Sequence, residues 1–443
     1  MKTARTLFLL LFLASSALAQ APGEERALGW VRAFNSGSAE QMETFAQANF
    51  TAATLSRRDP AGRAALYQQM YERHGKLTLQ TADARDGELI VRVKPERGPV
   101  MSLRFQLEPA APNRIAALMI DIGGGDERKG PALPPLDLTK ESLDDYLRKL
   151  NGFSGVVLTA KNGEVQFEKA YGLASRRYAA PNTATTRFNI GSITKDFTKV
   201  AIGQLAQAGK LKLDAPILTY LPNYPNKEIA QKVTVQQLID HTSGLGDVFT
   251  PRYAKMNPNE FVTPQHFIDF FASEPLKFEP GKNEAYSNYG YVVLGAIVEA
   301  LSGQSYFDSI QKQVFDAAGM SGSGFFDIRK PVPDVATGYT LRFGPEPLEN
   351  TTMRPSLRGI PAGGSYSTAR DLLLFERAVR GRKLLNEQWT RWILGGDMNA
   401  ELTWAGGSPG VNAAVAGDGT STVVVLTNQD PPMAERLAPM ILQ

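Results

Sequence analysis

Phe188-Asn189-Ile190-Gly191-Ser192-Ile193-Thr194-Lys195 opens a segment in which Phe197, Val200, Ala201 and Leu205 recur at helical spacing up to Gly209. The stripe reads as a buried helix that begins at Ser192 and stops at Gly209. Lys195 lies one turn beyond Ser192, so the helix carries both side chains on one face, with the amine within reach of the hydroxyl. A helix start also leaves backbone N–H groups unpaired and presents the positive end of the dipole, and both suit an oxyanion. A hydroxyl, an amine and a helix end in so short a stretch are parts that, joined by the two motifs below, point to a serine hydrolase that needs no histidine. S-x-x-K alone is a weak signal, since ordinary Ser and Lys usage gives roughly one chance match in a chain of this length. A second copy, Ser309-Ile310-Gln311-Lys312, follows Phe307 inside an amphipathic helix; with no helix end beside Ser309, it reads as surface.

Two later motifs join the first. Tyr286-Ser287-Asn288 follows Glu279-Pro280-Gly281 and precedes the apolar helix Tyr291–Leu301, a loop held at the start of a buried element and well placed for chemistry. Tyr224-Pro225-Asn226 has the same Y-x-N form but lies in a Pro-rich turn. Trp404-Ala405-Gly406 stands ahead of Gly407-Ser408-Pro409-Gly410, which also fits G-x-S-x-G. That pattern fails as a nucleophile elbow: Pro409 has no N–H for an oxyanion, and His74, His241 and His266 all precede Ser408. The run reads instead as a turn between two strands beside the site. The histidines show no paired ligand spacing and the chain has no cysteine, so no metal, thiolate or cofactor is called for. His241 reads as a hydrogen-bonding residue that ends the preceding helix, His74 as a partner of a helix C-terminal dipole, and Asp214 as a turn or cap residue.

Strands bracket this region. Phe153–Leu158 and Val165–Phe167 flank Asn162-Gly163, a hairpin signal. Further strands come only near Thr403-Trp404, Gly410–Ala416 and Thr422–Leu426, with a turn at Gly417-Asp418-Gly419. Early and late strands must therefore share one antiparallel sheet with helices packed on it. The fold class is an α/β sandwich with an all-helical insertion. Gly123–Pro131 with Pro134-Pro135 reads as a linker. Before it, Leu28, Val31 and Phe34 mark one helix, Ser38-Ala39-Glu40-Gln41 has the form of a capping box, and Arg63–His74 stopped by Gly75 marks another. Four strands follow, around Leu77–Leu79, Leu89–Val93, Met101–Phe105 and Ile115–Ile120. Helices first and a curved sheet afterwards resemble the small α+β domains related to nuclear transport factor 2. No catalytic constellation is visible there, and a packing, lid or dimerisation role is expected.

The expected division is a signal peptide over 1–19, a small α+β domain over 20–122, a linker over 123–135 and the hydrolase domain over 136–443. Lys2 and Arg5, the apolar run Leu7–Ala14 and Ala17-Leu18-Ala19 have the form of an export signal, with no Cys after the cleavage site for a lipid anchor. Its removal lowers the formal net charge from +3 to +1, too little to favour nucleic acid or anionic membranes. No apolar stretch in the remainder is long enough to span a bilayer. A periplasmic or secreted location follows; oligomeric state is not legible.

From residue 135 onward the chain resembles the penicillin-recognising serine hydrolases, in the branch of the class C β-lactamases. Besides the three motifs, Leu238-Ile239-Asp240-His241-Thr242-Ser243-Gly244-Leu245, Glu279-Pro280-Gly281 and Gly363-Gly364-Ser365-Tyr366-Ser367-Thr368 match family segments in order and spacing. The resemblance implies that Ser192 is acylated, that Lys195 and Tyr286 share the proton work, and that Asn288 orients substrate and lysine. It also implies that the Gly407 N–H, beside Gly406, joins the Ser192 N–H in holding the oxyanion. Either base needs a pKa near 7, a drop of roughly 3 units for Lys or Tyr; burial disfavours the ammonium, and a neighbouring ammonium favours phenolate.

Trp404 is the departure, because the β-lactamases and transpeptidases carry Lys or His there to hold a substrate carboxylate. W-x-G is similar to the family VIII carboxylesterases, which implies small uncharged esters as substrates and an indole as apolar surface. Arg358 is a candidate replacement cation. The alternatives are a D-alanyl-D-alanine or D-amino peptidase acting on peptidoglycan-like peptides, a β-lactamase, and a non-catalytic penicillin- or peptidoglycan-binding protein.

Overall fold

The computed structural model describes residues 24–443 except 57–58, 86–87, 98–99, 109–112, 123–132, 151, 251, 328, 342–346 and 350–355. The proposed export signal and most of the proposed linker lie outside the described residues. Elements from Glu24 to Ile122 fall in one compact unit and those from Leu143 onward in a second.

In the first unit, helices α1 (Glu24–Asn35), α2 (Ala39–Asn49), α3 (Ala52–Leu55) and α4 (Pro60–His74) precede an antiparallel sheet. Its strands, β1 (Leu77–Arg85), β2 (Glu88–Pro95), β3 (Met101–Leu107) and β4 (Ile115–Ile122), pair in sequence order. The buried stripe of α1 is Ala27, Trp30, Val31 and Phe34, with Leu28 only half-buried. α4 begins three residues earlier than the sequence pattern indicated, because Asp59 accepts from the Gly62 N–H at 2.7 Å and Pro60 occupies the first turn. Gly75 closes it at φ 68°. His74 lies in the last turn of α4. Burial pushes its pKa down, and its Nδ1 lies 3.3 Å from the Arg97 carbonyl.

The second unit begins with α5 (Leu143–Lys149), β5 (Gly155–Lys161) and β6 (Glu164–Tyr171). The helices that follow are α6 (Thr194–Gln207), α7 (Lys227–Lys232), α8 (Val235–Ile239), α9 (Pro264–Phe271), α10 (Asn288–Ser302), α11 (Tyr306–Ile310), α12 (Ala369–Arg380) and α13 (Glu387–Ile393). The chain returns as β7 (Leu402–Ser408), β8 (Val411–Gly417) and β9 (Ser421–Thr427) and ends in α14 (Met433–Leu442). The five strands form one antiparallel sheet in the order β7-β8-β9-β5-β6, so early and late strands join where Leu158 faces Val424 and Val156 faces Leu426.

Alternation along these strands builds two cores. Val156, Leu158, Val415, Val424 and Leu426 pack with the helical region, while Val157, Ala414, Val423 and Val425 pack with Tyr146 and Leu147 of α5 and Leu437 of α14. With helices on both faces, β8 is buried throughout. Asn162 and Gly163 both take positive φ, 50° and 79°, as a two-residue hairpin between right-twisted strands requires. Pro409-Gly410 turns β7 into β8, pairing Ser408 with Val411.

Candidate active site

Ser192 sits in a tight turn, Gly191–Ile193, that leads directly into α6. The turn is pressed between two neighbours. Ile190 N–H donates to the Ser365 carbonyl at 3.0 Å, and the Thr194 hydroxyl contacts Ser365 Oγ at 2.7 Å, so Gly363–Ser367 braces one side. Strand β7 closes the other side at glycine distance. A Cβ on Gly406 would stand 2.0 Å from the Ile190 oxygen and 2.6 Å from the Ser192 nitrogen; one on Gly191 would stand 2.9 Å from the Gly407 nitrogen. Gly406, the third residue of W-A-G, is therefore a packing requirement that brings the β7 backbone alongside the nucleophile.

Lys195 is 5% exposed. Its Nζ lies 3.2 Å from Ser192 Oγ, 2.8 Å from Asn288 Oδ1 and 2.5 Å from the Ala362 carbonyl oxygen. The last two groups can only accept. A neutral amine therefore spends its two N–H bonds on them and turns its lone pair to the Ser192 hydroxyl. Burial brings the Lys195 pKa down to about 7, with Asp247 and Asp196 opposing the drop. Tyr286 OH lies 2.7 Å from Ser192 Oγ. Although 51% of this side chain is exposed, desolvation of the phenol outweighs every other influence and pushes its pKa up to about 12. Of the two bases left open by the sequence, the phenolate is thus not favoured, and the lysine is the group poised as base near neutrality.

Local structure holds Tyr286 and Asn288. Ser287 caps α10, accepting from Gly290 N–H at 2.9 Å and donating to the Gly246 carbonyl at 2.6 Å. His241, at φ 59°, grips the loop from both sides of Tyr286: its carbonyl accepts from Ala285 N–H at 2.9 Å and its Nδ1 from Ser287 N–H at 3.2 Å. The imidazole packs 4.5 Å from the Tyr286 ring. Its pKa falls to about 4, burial first and Lys195 second, so the ring stays neutral and its Nδ1 remains an acceptor.

Ser192, Lys195, Tyr286 and Asn288 thus converge, and Gly406 and Gly407 lie against the nucleophile turn. Trp404 does not line the site as an open apolar wall: it is 8% exposed and packs 5.0 Å from buried Phe375 of α12. Arg358 is engaged by an aromatic ring: its guanidinium stacks 4.1 Å over Phe307. Ser309 of the second S-x-x-K copy is fully buried, contrary to the surface reading, because its face of α11 packs inward and its Oγ meets Ser302 Oγ at 3.0 Å. Tyr224 is buried against Tyr289, and Asn226 caps α7. Sequence reasoning missed Ala362 and Asp247. The first acts through its backbone and leaves no side-chain signature; the second followed the matched segment ending at Leu245 by two residues.

The Beta-lactamase family model matches residues 143–441. The chain belongs to that family. Among curated relatives of this β-lactamase family member, "Putative penicillin-binding protein PbpX" of Bacillus subtilis is 32% identical over 252 residues, covering 56% of this chain and 60% of that protein. "Esterase EstB" of Burkholderia gladioli is 29% identical over 273 residues, 54% of this chain and 68% of that protein. The match thus spans less than two thirds of PbpX. A crystal structure of a penicillin-binding protein from Bacillus halodurans superposes with a TM-score of 0.57 at 31% identity, covering 63% of this chain and 93% of that one. A class C β-lactamase, at 23% identity and TM-score 0.56, shares the fold.

Proposed function

We propose that this chain is an exported serine hydrolase that cleaves small uncharged carboxylic esters through an acyl-enzyme on Ser192. The observation that carries the reading is the Lys195 amine, held by two acceptors so that its lone pair meets the Ser192 hydroxyl. Ser192 Oγ attacks the ester carbonyl as its proton passes to Lys195, and the Ser192 and Gly407 N–H groups receive the developing oxyanion. Tyr286, neutral and within hydrogen-bond distance of Ser192, hands a proton to the leaving alcohol and is resupplied from Lys195. Water then repeats the sequence in reverse to release the acid.

The ester preference rests on the uncharged strand position: Trp404 is buried where the β-lactamases carry a cation, and Arg358 is engaged elsewhere. Hydrolysis of p-nitrophenyl butyrate by the mature protein, beside Ser192→Ala, tests it. Turnover abolished by the substitution is expected; turnover that survives removes Ser192 from the mechanism. The penicillin-binding relatives favour a second reading, acylation by penicillins or cleavage of D-amino peptides. Faster turnover of those than of short esters would establish it. Export rests on the Met1–Ala19 pattern, and recovery of uncleaved protein in the cytoplasmic fraction would refute it.

A further inference from the structure

Asp247 hydrogen-bonds to Asn288 and Phe249, not to Ser192 or Tyr286, yet its carboxylate is built into the site. Both of its oxygens lie within reach of the Asn288 amide nitrogen, at 3.2 and 3.0 Å, and Oδ2 also accepts from the Asn288 backbone N–H at 3.1 Å. Oδ1 accepts from Phe249 N–H at 3.1 Å, which holds the carboxylate in place. A carboxylate can only accept, and the Lys195 amine, with its lone pair turned to Ser192, has only N–H bonds left for Asn288. Placed on opposite sides of one amide, they dictate its orientation: Nδ2 to Asp247, Oδ1 to Lys195 at 2.8 Å. Among the described residues no Lys or Arg forms an ion pair with Asp247, so its charge is left to act on the site.

We infer that Asp247 is a positioning residue: it locks the Asn288 amide with its oxygen toward Lys195 and supplies an uncompensated negative charge that faces the lysine. The inference deepens the proposed mechanism and rests on Ser192, Lys195 and Asn288 acting as described there. It also separates this site from one in which the asparagine amide is free for a substrate carbonyl, because here Nδ2 is already engaged.

The groups facing Lys195 are Asp196 and Lys199 on its own helix, Asp247 and His241 from the α8–α9 loop, and the rings of Tyr286 and Tyr291, 4.7 and 5.4 Å from Nζ. Of these, Asp247 exerts the largest pull toward the charged form. Removing it leaves burial less opposed, so Lys195 loses its proton at lower pH.

The test uses the full chain with Asp247→Asn and Asp247→Ala, reading covalent labelling of Ser192 by a fluorophosphonate across pH and, in parallel, kcat and KM for p-nitrophenyl butyrate. Asp247→Asn removes the charge and keeps an acceptor; Asp247→Ala removes both. In both variants the acid limb of labelling is expected to move down by about half a pH unit or more. Asp247→Ala should lose roughly 10- to 100-fold in kcat with KM little changed, and Asp247→Asn should recover most of that loss. An unmoved acid limb overturns the electrostatic role. Equal loss in the two variants, with wild-type melting temperatures, overturns the orienting role. Labelling that behaves as expected in a protein without ester turnover would instead reject the ester reading and uphold the role of Asp247.

Discussion

Lys195 concentrates the chemistry and its cost in one side chain. With its pKa brought to about 7, kcat/KM for an ester should rise with pH through about 7 and level off once the amine is neutral. Tyr286→Phe is expected to lower kcat by roughly 10²- to 10⁴-fold without moving that acid limb, because the phenol is pushed up to about 12 and does not titrate there. A limb that moves with the phenol would reassign the base. Stability carries the opposite sign. The unfolded chain binds the lysine proton near 10.5 and the folded chain near 7, so this group costs stability fully below pH 7 and progressively less as pH rises toward 10.5. Lys195→Met should abolish turnover yet raise the melting temperature at pH 6. The gain, about 1–2 kcal/mol, is held down by the Asn288 and Ala362 oxygens left without their donor.

Among the elements, β7 decides how the nucleophile turn is held. Gly406→Ala drives a Cβ into the Ile190 carbonyl and the Ser192 nitrogen, both backbone atoms that cannot step aside cheaply. Strand and turn are expected to part, with a loss of roughly 100-fold or more in kcat/KM, measurable on p-nitrophenyl butyrate. Trp404 belongs to the same strand but to the core. Trp404→Ala should cost about 3–5 kcal/mol in denaturant unfolding. Trp404→Lys, which restores the β-lactamase residue type, is expected to destabilise strongly and to yield no gain in penicillin turnover, since the new ammonium would be buried against Phe375. The motif residues Ser192, Lys195, Tyr286 and Asn288 were legible because each sits at a helix start or in its capping loop, where local spacing sets direction. Trp404 was misread because strand residues alternate faces, and which face is open depends on α12, distant in sequence.

At the scale of the molecule, the two units have separate cores: Trp30, Phe34, Tyr67 and Phe105 in the first, and the two faces of the five-stranded sheet in the second. Every residue assigned to the site lies in the second. Calorimetry should therefore resolve two transitions, with loss of ester hydrolysis following the transition of the second unit; a single transition would show the cores to be coupled. The order of the five sheet strands, the Asn162-Gly163 hairpin and the S-x-x-K and Y-x-N pairs were legible in the sequence alone, whereas α6 starts at Thr194, two residues later than the Ser192 read from the stripe. Each depends on periodicity, capping or turn chemistry within a few residues. Tertiary structure alone decided that burial lowers Lys195 while raising Tyr286, that Ser309 and Trp404 are inside, and that Asp247 stands behind Asn288. Desolvation and contact are properties of neighbours brought together from distant parts of the chain, and no local pattern records them.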